Sequence, residues 1–118
     1  MTIKGKVHQI NETQFLGTSN YPKRTFYLDR TRKDDYSDKT YPNFNEISLL
    51  GDKNTKLIED FRIGDVVEVT VEVRGNYFQH EGNEKFSQEV VCWEIKLIRK
   101  SENNTQQANE NSNVYNQQ

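Results

Sequence analysis

The sequence predicts an all-β fold: a five-stranded Greek-key barrel with one short helix between its third and fourth strands, followed by a disordered tail. Three observations carry this expectation. Apolar and polar residues alternate with a period of two along several stretches, most cleanly where Val67, Val69, Val71 and Val73 interleave with Glu68, Thr70, Glu72 and Arg74. Between two such stretches lies Gly51-Asp52-Lys53, then a helix-like Leu57-Ile58-Phe61 stripe, then Arg62-Ile63-Gly64-Asp65. Beyond Lys100 the chain turns into Ser101-Glu102-Asn103-Asn104-Thr105-Gln106-Gln107 and continues in that vein. A small barrel whose single helix lies between strands three and four is an OB-fold.

Each element follows in order. The first strand is expected over Thr2 to Ile10, with Ile3, Gly5 and Val7 on one face, Lys4, Lys6 and His8 on the other, and a bend or bulge at Gly5. Polar, turn-forming residues from Asn11 to Pro22 make the first loop. The second strand, Lys23 to Asp29, turns Phe26 and Leu28 inward and Thr25, Tyr27 and Asp29 outward. A charged and aromatic loop spans Arg30 to Pro42, too long for a tight hairpin. The third strand, Asn43 to Leu50, turns Ile47 and Leu49 inward and Phe44 outward. Asp52 is expected to cap a helix of two or three turns that Gly64 ends. The fourth strand follows with its four inward valines, and Gly75 to Lys85 is read as a turn. The fifth strand, Phe86 to Lys100, places Val91, Trp93, Ile95 and Leu97 on one face. Phe26, Phe61 and Trp93 share faces with aliphatic residues and are expected in the core.

Composition narrows the function. The chain has 118 residues, 32% hydrophobic, with a mean hydropathy of −1.01, enough for one core. The OB-fold domain is expected over residues 1–100, and the Asn/Gln-rich segment 101–118 as a disordered tail. All 16 Lys and Arg lie before residue 101, and only Glu102 and Glu110 of the 18 acids lie after it, so the body is neutral. Affinity for phosphates must then come from local charge distribution. The single cysteine, Cys92, forms no internal disulfide and reads as a small buried hydrophobe. His8 and His80 have no partner at ligand spacing, so no metal or other cofactor is expected. Glu68, Glu72 and Glu94 are evenly spaced strand charges with no nucleophile or phosphate loop nearby, and no enzyme activity or small-molecule substrate is expected. Met1 enters a strand with no signal region and no run approaches membrane-spanning length, so a cytoplasmic protein without a membrane partner is the expectation.

Six stretches carry a resemblance: Ile3-Lys4-Gly5-Lys6-Val7, Lys23-Arg24-Thr25-Phe26, Gly51-Asp52-Lys53, Phe61 to Val69, Val73-Arg74-Gly75, and Trp93 near the end of the last strand. Over about residues 1–99 the chain resembles a family of small bacterial OB-fold proteins similar to single-stranded DNA-binding proteins. The resemblance implies a barrel that binds single-stranded DNA in replication, recombination or repair. The segment Arg30 to Pro42 is longer and more charged than that pattern. The tail lacks the acidic, phenylalanine-ended tip with which many bacterial single-strand binders recruit partners.

Single-strand binding needs cations for the backbone and open rings for the bases. On an OB barrel these belong on the outer face of strands two and three and in the first and last loops. The candidates are Tyr27 and Phe44 on that face, Lys23 and Arg24 at its edge, Arg30, Arg32, Lys33 and Tyr36 in the long loop, and Arg74, Tyr77, Phe78 and Lys85 in the last hairpin. The expected partner is single-stranded DNA, with RNA open because discrimination rests on individual contacts at the 2′-hydroxyl. Two alternatives stay open. One is a protein-interaction module whose aromatic face is buried against a partner or a second copy; the other is an oligosaccharide binder.

Overall fold

The computed structural model describes residues 1–101. Its elements are β1 (Thr2–Ile10), β2 (Gln14–Leu16), β3 (Tyr21–Asp29), β4 (Arg32–Lys33), β5 (Thr40–Tyr41), β6 (Phe44–Leu50), α1 (Gly51–Asn54), a 3-10 turn (Leu57–Asp60), β7 (Val66–His80) and β8 (Asn83–Arg99). One sheet runs β1-β7-β8-β6-β3-β2, and β1 also pairs with β3, which closes the ring into the expected barrel. The two halves of β1 do this separately: Thr2 to Lys6 lie against β7, and Lys6 to Ile10 against β3.

The period-two valines fill the interior. Val67, Val69 and Val71 are buried with Val7, Phe26, Leu28, Ile47, Leu49 and Cys92, and Ile58 of the 3-10 turn closes the cluster. Fully burying a side chain of that size contributes about 1.5 to 3 kcal/mol. Burial also pushes the Cys92 thiol up to about 11, so it packs as an inert hydrophobe.

The structure corrects the detail at several points. The bulge in β1 falls between Val7 and Gln9, at His8, and not at Gly5; it lets Ile10 return to the core side. Gly5 instead admits the Arg30 side chain, whose Cγ lies 2.9 Å from where a Cβ would stand. The first loop contains β2, paired with the start of β3 from Leu16–Tyr21 to Gln14–Lys23. The expected helix is split. Thr55 donates both its N–H and its hydroxyl to the Gly51 carbonyl, 3.1 and 2.9 Å, and closes α1 after one turn. Leu50, not Asp52, is the N-cap residue, and Asp52 lies in the first turn.

Two larger corrections concern the last hairpin. Gly75 to Lys85 is not a loop: β7 and β8 stay paired to His80–Asn83, and only Glu81 and Gly82 turn. Both have positive φ, 51° and 80°, the backbone of a tight hairpin turn that suits glycine at the second position. Residues 72–88 are all exposed, so the paired strands form an arm that leaves the barrel. Val73 accordingly lies outside the core, on the arm. The second correction is a bulge in β8 between Cys92 and Glu94, opposite Val71 and Thr70. It takes Trp93 out of the core, 45% exposed, and Cys92 occupies the interior position instead.

Beyond β8 the backbone N–H of Ser101 donates to Asp65 Oδ1 at 2.8 Å, and both residues are buried. The rest of the tail expected over 101–118 lies outside the described residues. Among the described residues no helix is long and apolar enough to cross a membrane.

Candidate nucleic-acid interface

Strand register sets the outer surface of the β1–β3–β6 wall. Gln9 faces Tyr27 across β1 and β3, and Tyr27 faces Glu46 across β3 and β6, so the three side chains form one row. The next row pairs Asp29 with Phe44. Phe44 is 51% exposed and leans against His8, ring centroids 4.9 Å apart and tilted by 54°. His8, Gln9, Tyr27 and Phe44 together line a shallow, open notch of about 230 Å³. The Tyr27 hydroxyl donates to Glu46 Oε2 at 2.9 Å, and that bond, with the nearby negative charge, raises the phenol above its ordinary value. Asp29 is held below the usual carboxylate range by the Thr31 hydroxyl and amide.

A family model for a domain of unknown function, DUF3127, matches residues 2–96. The chain belongs to the DUF3127 family. None of the curated proteins is a significant match to this DUF3127 chain. Solved structures share its fold. A single-stranded DNA-binding protein of Plasmodium falciparum, in complex with single-stranded DNA, superposes with a TM-score of 0.60 at 16% identity, over 83% of this chain and 92% of its own. The mitochondrial single-stranded DNA-binding protein Rim1 of S. cerevisiae gives 0.56 at 16% identity, over 86% and 95%. The single-stranded DNA-binding protein of Thermus aquaticus gives 0.63 at 12% identity, over 83% of this chain but 48% of that one. At these identities the likeness shows the OB-fold of those proteins.

Around the notch, the DUF3127 chain distributes its candidate cations unevenly. Lys23 is paired with Glu89 at 2.9 Å. Arg24, expected at the edge of the outer face, alternates with the outward residues and holds the Asn11 carbonyl at 2.8 Å and Glu59 at 3.5 Å. Arg30 crosses Gly5 to reach the Lys4 carbonyl and Asn45, which ties the long segment to the barrel wall. That segment is a small ribbon of β4 and β5, in which Arg32 lies over the Tyr41 ring at 5.0 Å and Lys33 pairs with Thr40. Asp34 folds its tip by accepting from the Tyr36 amide and the Ser37 hydroxyl, each at 3.0 Å, which lowers its carboxyl. Tyr36 stands at that tip, 96% exposed.

The arm divides the remaining candidates. Directly opposed residues share a face, so Arg74, Phe78 and Lys85 occupy one side, with Arg74 at 3.4 Å from Glu72 and opposite Glu89. Tyr77 lies on the other side, against Phe86, ring centroids 5.1 Å apart. The sequence reading missed His8, Gln9, Glu46 and Phe86 as parts of these surfaces. For Phe86 a signal existed: a glycine inside a strand, Gly75, marks close approach. The Phe86 ring lies 2.7 Å from where a Gly75 Cβ would stand.

Proposed function

We propose that this protein is a non-enzymatic, largely sequence-tolerant binder of single-stranded DNA that acts in replication, recombination or repair. The observation that carries the reading is the pair of outward rings, Tyr27 and Phe44, set with His8 around an open notch on the barrel wall. An exposed ring offers a base a stacking partner whatever its identity, and each stacked base contributes roughly 1 to 3 kcal/mol. Arg30, Arg32 and Lys33 lie at one end of that wall, and Arg74, Phe78 and Lys85 on one side of the arm. In this reading their cations neutralise the sugar-phosphate backbone of a strand whose bases meet the notch. The OB-fold shared with single-stranded DNA-binding proteins supports the same reading.

The deciding experiment is a titration of labelled single-stranded DNA, single-stranded RNA and duplex at low and moderate salt. The single strand should bind best, and log K should fall linearly with log salt, by about 0.7 per phosphate neutralised. Equal and negligible binding to all three would overturn the proposal.

A second reading has its own observation. The side of the arm that carries Val73, Tyr77 and Phe86 holds no Lys or Arg, and Gln79, Glu84 and Gln88 lie beside these apolar side chains. Such a face suits a protein partner or a second copy better than a polyanion. Light scattering on the full chain and on Tyr77→Ala separates the two: loss of assembly with oligonucleotide affinity intact favours the interaction module.

A further inference from the structure

We infer that the Tyr27 position selects bases carrying an exocyclic amino group and disfavours thymine. The inference rests on the reading above, since it presumes that a strand crosses this wall. It comes from the chemistry of one row, Gln9–Tyr27–Glu46. Tyr27 donates its only hydroxyl proton to Glu46 Oε2 at 2.9 Å, so the ring's polar end is already committed. Gln9 Nε2 donates to Asn11 Oδ1 at 2.9 Å, and Asn11 Nδ2 in turn donates to Thr25 Oγ1 at 2.8 Å. That chain of bonds occupies the Gln9 amide nitrogen, while its Oε1 accepts no hydrogen bond among the described residues. Glu46 Oε1 accepts no hydrogen bond among the described residues, and both side chains are exposed. The ring is thus flanked by two acceptors, one of them charged.

Two consequences follow. A carboxylate beside the ring repels phosphates, so the part of a nucleotide that settles on this row is the base, and the backbone runs along the cationic flanks. The base edge that meets Glu46 must then donate. Cytosine offers its N4 amino group, adenine N6 and guanine N1 and N2. Thymine offers one N3–H flanked by two carbonyl oxygens, which face the carboxylate unfavourably. Discrimination here comes as much from that repulsion as from the bond gained.

Cytosine and thymine are the informative pair, because their rings are alike in size and stack comparably. Deoxycytidine and deoxythymidine homopolymers of equal length should be titrated against the full chain and against Glu46→Gln. The wild type should bind the cytidine polymer about threefold to tenfold more tightly, the worth of one hydrogen bond. The ratio should persist as salt is raised, since both polymers carry the same phosphates. Glu46→Gln should bring the ratio near one, because the amide can donate to thymine O4, while circular dichroism stays unchanged at this exposed position. Equal binding of the two polymers by the wild type, or a ratio that Glu46→Gln leaves alone, overturns the inference and leaves single-strand binding standing. Failure of both polymers to bind overturns the inference together with the function it rests on.

Discussion

Tyr77 and Phe86 face each other across β7 and β8 with ring centroids 5.1 Å apart, at a level of the hairpin where no core residue supports them. An isolated two-stranded ribbon is marginal in water. This ring pair, laid over the bare backbone of Gly75, is therefore a principal brace of the arm. Phe86→Ala should raise amide exchange in residues 74–88 about twofold to tenfold, the loss of one aromatic pair. The barrel melt should stay within a few degrees of wild type. Unchanged exchange in the arm would show that the backbone ladder alone holds it.

Phe44→Ala should weaken single-stranded DNA binding by about 1 to 3 kcal/mol, one stacked base. Because the ring is already half exposed, the melting temperature should barely move. Fluorescence anisotropy beside a thermal melt reads both. A folded variant with wild-type affinity would place the strand elsewhere.

Asp65 joins three parts of the chain. Its Oδ2 accepts from the Arg62 amide at 2.9 Å, its Oδ1 from the Ser101 amide at 2.8 Å, and its carbonyl from the Val7 amide at 2.8 Å. Asp65→Ala removes the acceptor of both amides, of which the Ser101 amide is buried, and should cost about 1 to 3 kcal/mol. In urea this should appear as a lower midpoint with an unchanged slope.

The Lys23 ammonium, 2.9 Å from Glu89 Oε2, holds the Glu89 carboxyl below the ordinary glutamate value of 4.5, against the desolvation that opposes it. A carboxyl depressed in the folded state adds stability above its unfolded value, and that stability is lost as pH falls through the folded one. Stability should thus begin to erode below about pH 4.5, by under 1 kcal/mol for a pair this exposed. Lys23→Met should flatten that limb. Acid titrations of urea midpoints for the two proteins give the difference.

The barrel was legible because its signal is periodic. Alternation at Val67 to Val71, and at Phe26–Leu28 and Ile47–Leu49, sets which residues meet inside, and the Leu57–Ile58 stripe sets where the barrel is plugged. What misled was local. One extra residue at Trp93 reverses the alternation of β8, and a period-two pattern carries no trace of such an insertion. Gly75 and Asn76 resemble turn residues, yet Gly75 is there to admit Phe86 and only Glu81–Gly82 turn. For the notch, the outward placement of Tyr27 and Phe44 followed from parity. The arrival of His8 beside Phe44 depends on the β1 bulge, and Arg24, a cation by composition, lies by parity on the inward side.

The displaced Trp93 bears on how this molecule is to be watched. It is the only tryptophan, and it meets solvent before any unfolding begins. Its indole emission in the native state should already lie toward the long-wavelength end, so denaturation leaves little further shift to record. A melt followed by that fluorophore would look shallow, even where the interior comes apart cooperatively, and far-ultraviolet dichroism is the dependable optical signal for this barrel.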